Sequence, residues 1–218
     1  MDVYKAISKT RQIEKGASTR PWLVTVDTGS ELKEFVIKLF SKKDEKQYQP
    51  TNKEFYSSVL AEEFDLSAPP YALIYLDEEF IDSLEPNDRE RIELIGKRYF
   101  FGCEYIHPAL NYSNALTKKH LDSYDIENIF AFDVLIRNID RKEKKPNIFF
   151  REKEYFLIDH EQSLDIRDSF AKYIDDADKW PFIRGGGKGK HIFLKFLQKN
   201  KRKVDFNTFM TYMNVLNL

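Results

Sequence analysis

The sequence has few cysteines and no long apolar runs, which are the features typical of secreted and membrane-spanning proteins. Cys103 is the one cysteine among 218 residues, so no disulfide can form within the chain, as expected for a reducing compartment. No apolar run approaches the length of about 18 residues that a membrane span needs, and the N-terminal segment has no apolar core of a signal peptide. We therefore expect a cytoplasmic protein without membrane contact.

Acidic and basic residues are unevenly distributed along the chain, although the net charge is only −1. The stretch from Glu54 to Glu93 has 12 acids and 2 bases, whereas the stretch from Lys179 to Lys203 has 9 bases and no acid. Such a basic segment suits an anionic partner, an acidic segment of the same chain, or simply a solvated surface. One hypothesis is therefore RNA or DNA binding through residues 179–203, where Trp180 and Phe182 offer rings for base stacking.

Apolar residues are frequent enough for a substantial core. Hydrophobic residues make up 42% and aromatic residues 15% of the chain, which argues against global disorder. Their spacing predicts an α+β fold, with the following elements in chain order: a hairpin over 22–39, a helix over 51–64, a strand over 71–77, a helix over 86–99, a helix over 123–138 and a hairpin over 147–159. We expect residues 1–80 to form a small sheet with one helix, and residues 81–218 to form a mainly helical second part.

The stretch NIDRKEKKPNIFFREKEYFLIDHE, Asn138 to Glu161, places polar residues at the ends of the second hairpin. Asp140 lies in the preceding loop, Asn147 directly before the first strand and Asp159 directly after the second. Strand pairing fixes the separation of the last two residues. Hard oxygen ligands of this kind suit Mg²⁺, and a nearby loop carboxylate suits the orientation of a hydroxyl in phosphoryl transfer.

This stretch resembles the catalytic core of the HipA-like kinases and is more distantly similar to phosphoinositide kinases and other atypical kinases. The shared pattern is N-x-D-R, then an Asn before a strand, then a strand that ends in Asp. The Asn stands seven residues after the Asp in the smaller HipA-like branch, as Asn147 does after Asp140. In ordinary protein kinases the interval is five, where this chain has Lys145. The resemblance implies a two-lobed protein-kinase-like fold, with a small β-rich N-lobe (1–80) and a mainly helical C-lobe (81–218).

The resemblance also implies roles for residues of the motif. Asp140 would be the catalytic carboxylate, and Asn147 and Asp159 would hold Mg²⁺ against the phosphates of ATP. Asn138 and Arg141 would brace the catalytic loop. Each residue alone has a structural alternative, such as a surface turn, a strand start or a cap.

Asp133 lies among apolar residues of the predicted helix over 123–138. A carboxylate in such surroundings needs a partner. We expect it to support the following loop by bonding backbone amides or Arg141, with an outward-facing side chain as the alternative.

The nucleotide site implied by the resemblance also needs residues of the first part. Lys38, in EFVIKLF on the second strand of the predicted hairpin, resembles the strand lysine that contacts the α- and β-phosphates. Glu54 is either the partner of Lys38 or the second half of a capping box with Thr51, and Glu62 is the reserve partner.

Two glycine-containing segments are candidates for phosphate contact. Gly16 and Ser18, in IEKGASTRP, stand where a phosphate-covering loop would lie, although an ordinary turn is the alternative. RGGGKGKH, at 184–191, does not follow the Walker A order and is interpreted as a flexible basic loop.

The leading functional hypothesis is an ATP- and Mg-dependent kinase of the HipA-like type. The acceptor implied by the resemblance is a Ser or Thr of a protein substrate, and a toxin role with a cognate regulatory protein is left open. The alternative is a pseudokinase, a nucleotide-binding module without turnover.

Overall fold

The structure is a computed structural model, and it describes residues 1–13, 19–107, 110–111, 121–151, 153–164, 190–199 and 204–216. The chain is of mixed α and β type. It divides into two compact units, one formed by residues 1–55 with 69–107 and the other by residues 56–68 with 108–218.

The first unit is built around a closed five-stranded barrel. Its described elements are β1 (Val3–Gln12), β2 (Trp22–Asp27), β3 (Leu32–Ile37), α1 (Lys42–Tyr48), the beginning of α2 (Pro50–Glu63), β4 (Tyr71–Tyr75), α3 (Glu78–Asp82), α4 (Pro86–Ile95) and β5 (Tyr99–Glu104). The strand order is β1-β2-β3-β5-β4, and the barrel closes through a parallel pairing of β1 with β4. The other strand pairs are antiparallel.

The predicted hairpin over 22–39 is formed by β2 and β3. Val24 pairs with Phe35, and both side chains are buried, as the alternation of apolar residues indicates. In the turn, Gly29 has a φ of 86° and its N–H donates to Asp27 Oδ1 at 2.7 Å. This left-handed conformation explains why glycine stands there.

The sequence predicted three strands in this region, and the barrel has five. β1 has no clear alternation of apolar and polar residues, because Ala6 is the one buried residue among its ten. β5 was partly assigned to the predicted helix over 86–99, but that helix ends before Gly96, which caps it at a φ of 63°. Gly102 then lets β5 approach β4 closely, since an added Cβ would lie 2.6 Å from a side-chain carbon of Ile74.

The second unit combines helices with a three-stranded antiparallel sheet. Its described elements are the end of α2, β6 (Leu110–Asn111), α5 (Ile126–Leu135), β7 (Ile148–Arg151), β8 (Glu154–Leu157), α6 (Leu194–Lys199) and α7 (Asn207–Val215). The sheet order is β6-β7-β8. The predicted helix over 123–138 and the hairpin over 147–159 are therefore confirmed as elements.

The core of the second unit forms around α5. Ile129 and Phe132 are completely buried on this helix. The C-terminal helix α7 joins the same core through Phe209, whose ring stacks on Phe64 with centroids 4.7 Å apart. β8 is tied to the segment after α2 because Leu157 N–H donates to Ser67 O at 2.9 Å.

The observed units do not follow the predicted division at residues 80 and 81. That position falls within α3, and the first unit continues to residue 107. The chain also passes between the units inside α2, between residues 55 and 56. The prediction divided the chain at one position, whereas each observed unit consists of two separate segments of the chain.

The helices of the described residues are short, and the longest of them, α2, has 14 residues. Across the described parts of the chain, none combines the length and the apolar composition that crossing a membrane requires.

Candidate active site

Asp140 lies in the loop that follows α5 in the second unit. Asn138, two residues earlier, is completely buried, and its Oδ1 accepts a hydrogen bond from the Asp140 N–H at 3.1 Å. This bond is an Asx-type turn that fixes the backbone of the loop at the predicted catalytic residue. Asn138 therefore braces the loop, as the resemblance implied.

Asn147 and Asp159 stand at the open end of the β7–β8 hairpin. Ile148 pairs with Leu157, and Ile158 N–H donates to Asn147 O at 3.1 Å, so the two predicted metal ligands begin and end paired strands. Asn147 is 8% exposed, and its side-chain Nδ2 has no hydrogen-bond partner among the described residues. A buried amide of this kind is costly unless something binds it.

Lys145 forms ion pairs with both Asp140 and Asp159. Lys145 Nζ lies 2.6 Å from Asp140 Oδ2 and 2.8 Å from Asp159 Oδ2. Lys142 Nζ lies 3.0 Å from Asp140 Oδ1. Burial lowers the pKa of Lys145, but the charges and hydrogen bonds of Asp159 and Asp140 outweigh it, so the pKa is raised above its ordinary value. The ammonium group therefore remains a cation.

Behind the loop, Asp133 is the centre of a buried polar network. Its side chain is completely buried and accepts hydrogen bonds from Arg141 Nε at 2.5 Å and from Asn138 Nδ2 at 3.0 Å. His191 Nε2 lies 2.9 Å from Asp133 Oδ2. Because Phe193 N–H donates to His191 Nδ1 at 3.2 Å, the other ring nitrogen carries the proton and donates to Asp133. The predicted supporting role of Asp133 is confirmed.

The network holds Asp133 in its ionised form. Desolvation raises the pKa of Asp133, but the charge of Arg141 and the hydrogen bond from His191 outweigh it and lower the pKa to about 2. A completely buried carboxylate is stable only with such compensation.

Arg141 also connects the catalytic loop to the hairpin. Its Nη1 donates to the backbone oxygen of Asn147, and its Nη2 donates to His160 Nε2 at 3.3 Å. Since arginine has only donors, this nitrogen of His160 is unprotonated. One guanidinium group thus fixes the loop, the start of β7 and the residue after Asp159 relative to one another.

In the first unit, Lys38 and Glu54 form a buried ion pair. Lys38 directly follows β3, and its N–H donates to Phe101 O at 3.2 Å. Thr51 lies inside α2 rather than before it, and its hydroxyl donates to Glu45. Of the two interpretations of Glu54, the structure therefore has the pairing with Lys38 and not the capping box.

Some of the predicted residues lie outside the described residues. These are Gly16 and Ser18, together with all of the RGGGKGKH segment except its last two residues. The basic segment 179–203 is described only over residues 190–199. The predictions on phosphate and nucleic-acid contact by these segments stay predictions.

The loop and the hairpin together offer what a divalent cation requires. Carboxylate oxygens of Asp140 and Asp159 and the side chain of Asn147 are hard donors of the type that Mg²⁺ prefers. The position of Lys145 Nζ between Asp140 and Asp159 shows that the two carboxylates face a common point. The residues present therefore fit a divalent metal ion.

A sequence model of the HipA-like kinases matches residues 7–179 of this chain. The chain belongs to the HipA-like kinase family. The match spans both units and includes the loop and hairpin described above. Membership in this family supports kinase activity in general and leaves the phosphate donor, the metal and the acceptor open.

A solved structure is similar to this HipA-like kinase over most of its length. The proinflammatory kinase CtkA of Helicobacter pylori has 12% sequence identity and a TM-score of 0.48, and the alignment covers 98% of this chain and 88% of that chain. A search of curated proteins finds no match.

Sequence reasoning missed two residues of this HipA-like site. His191 gave no local signal because it is 58 residues from Asp133 along the chain. Lys145 had a signal, since it stands five residues after Asp140, where ordinary protein kinases have the metal-binding Asn. Its contact with Asp159 depends on how the loop closes and was not foreseen.

Proposed function

We propose that the protein is an ATP- and Mg-dependent kinase that transfers the γ-phosphate to a hydroxyl group, with Ser or Thr of a protein as the acceptor. One observation carries the proposal. Asp140 and Asp159, 19 residues apart, lie on either side of one cation, Lys145 Nζ, at 2.6 and 2.8 Å. A loop carboxylate for the acceptor hydroxyl, close to a strand-end carboxylate for the metal ion, is what metal-assisted phosphoryl transfer uses.

In the second unit, Asp140 is the group that accepts or orients the proton of the acceptor hydroxyl. Its backbone is fixed by Asn138, which favours a constant position for the carboxylate. Asn147 and Asp159 are the residues that would hold Mg²⁺, which when bound neutralises phosphate charge. Arg141 keeps the loop and the hairpin in register through its bond to Asn147 O.

In the first unit, Lys38 is the proposed phosphate-binding cation. Its side chain is nearly buried, and Glu54 holds its ammonium group in one orientation. A lysine oriented in this way contacts the α- and β-phosphates in kinases. Gly16 and Ser18 are proposed to contact the phosphates through their backbone amides.

The test is transfer of the labelled γ-phosphate of ATP, with Mg²⁺, to the protein itself and to protein substrates. Asp140→Asn should lower the transfer rate by about 10²-fold or more, because the carboxylate that positions the hydroxyl is lost. Glu143→Gln, at an exposed position of the same loop, is the control. An unchanged rate in Asp140→Asn would show that the catalytic assignment is wrong.

A second candidate is a nucleotide-binding module without turnover. The observation that favours it is that both oxygens of Asp140 contact an ammonium group, one from Lys142 and one from Lys145. A carboxylate with both oxygens engaged in this way is less available to an acceptor hydroxyl. Thermal stabilisation by ATP without phosphate transfer to any acceptor would favour this candidate over the active kinase.

Location and partners are further parts of the proposal. We propose a cytoplasmic protein and a cognate regulatory protein, with a toxin role as the extension of that idea. Nucleic-acid binding by residues 179–203 is the competing hypothesis. A salt-dependent gel shift that survives both Asp140→Asn and Asp159→Asn would support it.

A further inference from the structure

Lys145 differs from the other lysines of the catalytic loop in what it contacts. The loop carries Lys142, Lys144 and Lys145. Lys144 is exposed, and Lys142 contacts Asp140. Lys145 contacts both Asp140 and Asp159, so it connects the predicted catalytic residue with a predicted metal ligand.

The backbone holds Lys145 in this position. Lys142 N–H donates to Lys145 O at 3.0 Å, and Lys145 N–H donates to Lys142 O at 3.0 Å. This pair of bonds closes a tight turn between the two residues. Arg141, directly before the turn, donates to the backbone oxygen of Asn147, two residues after it, so the turn is anchored on both sides. The backbone from which the Lys145 side chain reaches the two carboxylates is therefore fixed.

The contact geometry makes Lys145 and a divalent metal ion alternatives. A metal ion bound by the Asp159 carboxylate takes oxygens at about 2.1 Å and orders its remaining ligands around itself. Lys145 Nζ already lies 2.8 Å from Asp159 Oδ2. The side chain is also only 30% exposed, so the repulsion between the two cations is weakly screened by water.

We propose that Lys145 is a built-in competitor of the divalent metal ion, whose ammonium group must leave Asp159 before the metal binds. This inference rests on the proposed function, since it takes Asp159 as a metal ligand. Its consequence is a site with weakened affinity for the metal alone. The negatively charged phosphates of a bound nucleotide would then favour displacement of the lysine, so metal binding depends on nucleotide.

The experiment measures Mn²⁺ binding to the nucleotide-free full chain by electron paramagnetic resonance, with Mg²⁺ competition. Lys145→Gln should tighten the dissociation constant about tenfold, equivalent to about 1.4 kcal/mol. Lys145→Met is the second variant, and Lys145→Arg, which keeps the cation, should bind as weakly as the wild type. Lys144→Gln is the matched control and should remain within about twofold of the wild type. Circular dichroism verifies folding of each variant.

The outcomes separate this inference from the proposed function. Tighter Mn²⁺ binding in Lys145→Gln and Lys145→Met, together with loss of Mn²⁺ binding in Asp159→Asn, supports both this inference and the proposed metal site. Wild-type binding that requires Asp159 but is unchanged or weaker in the Lys145 variants overturns the inference and leaves the metal site intact. Absence of binding in the wild type and in every variant, with and without ATP, overturns the proposed metal site and the inference with it.

Discussion

Asn147 and Asp159 both adopt left-handed backbone conformations, with φ of 48° and 61°, at the open end of one hairpin. They are linked through Ile158, whose N–H donates to Asn147 O at 3.1 Å. Asn and Asp are the non-glycine residues that tolerate this conformation best. The same residue types therefore satisfy a backbone requirement and would offer the oxygen ligands of the proposed metal site.

Asn147→Gly separates the backbone requirement at this position from the proposed role of Asn147 as a metal ligand. Asn147→Gly keeps a backbone suited to positive φ but removes the side-chain oxygen, so it should lower Mn²⁺ affinity at least about tenfold with little loss of stability. Asn147→Ala removes the same oxygen and adds a backbone cost of about 1 kcal/mol. Metal titration and urea denaturation of both variants test this expectation. Wild-type metal affinity in Asn147→Gly would exclude Asn147 as a ligand.

The stability of the protein should depend on pH through Asp133. Its pKa falls from 3.8 to about 2 on folding, so its stabilising contribution is complete above about pH 5. The contribution is lost as the pH falls from about 4 towards 2, because the unfolded chain then binds a proton that the folded chain does not. The full effect is about 2 kcal/mol.

Comparison with Asp133→Asn isolates this contribution. Urea unfolding at pH 6 and pH 3 should show that the wild type loses about 1 kcal/mol more than the variant over this interval. All other carboxylates titrate in both proteins and cancel in the difference. Equal losses in the two proteins would mean that Asp133 is not held in its ionised form by Arg141 and His191.

The candidate-site residues that were predicted from the sequence lie close together along the chain. Asp140, Asn147 and Asp159 occur within 20 residues, and paired strands fix the distance between the last two. The pairing of Lys38 with Glu54 was one of two open interpretations, because the local pattern around Thr51 fits a cap equally well. The structure distinguishes them since α2 begins at Pro50, which places Thr51 inside the helix.

The parts that sequence could not predict depend on contacts distant along the chain. His191 reaches Asp133 across 58 residues, and no periodicity marks such a pair. The strand β1 is mostly exposed, so its apolar alternation is too weak to recognise, although it closes the barrel through β4. Burial of a side chain by a remote segment is decided by the complete fold, not by its neighbours in sequence.

Lys38 should be required for phosphate transfer. Lys38→Met should lower transfer by about 10²-fold, since a preorganised cation at the phosphates is lost. Glu54→Gln keeps a polar group but removes the charge that orients Lys38, so we expect a smaller loss of about tenfold. Lys33→Met, on β3 with its ammonium 3.3 Å from Glu104, is the control and should change transfer less than about twofold. Full transfer by Lys38→Met, with Asp140→Asn inactive, would exclude the role of Lys38.

The C-terminal helix α7 should contribute to the stability of the second unit through one side chain. Phe209 is 8% exposed and stacks on Phe64, whereas the neighbouring Met210 is 54% exposed. Phe209→Ala should therefore lower the free energy of unfolding by about 3 kcal/mol, because it leaves a cavity against Phe64. Met210→Ala should change it by less than about 0.5 kcal/mol. Urea unfolding of the two variants tests the difference, and equal small losses would show that α7 does not stabilise this core.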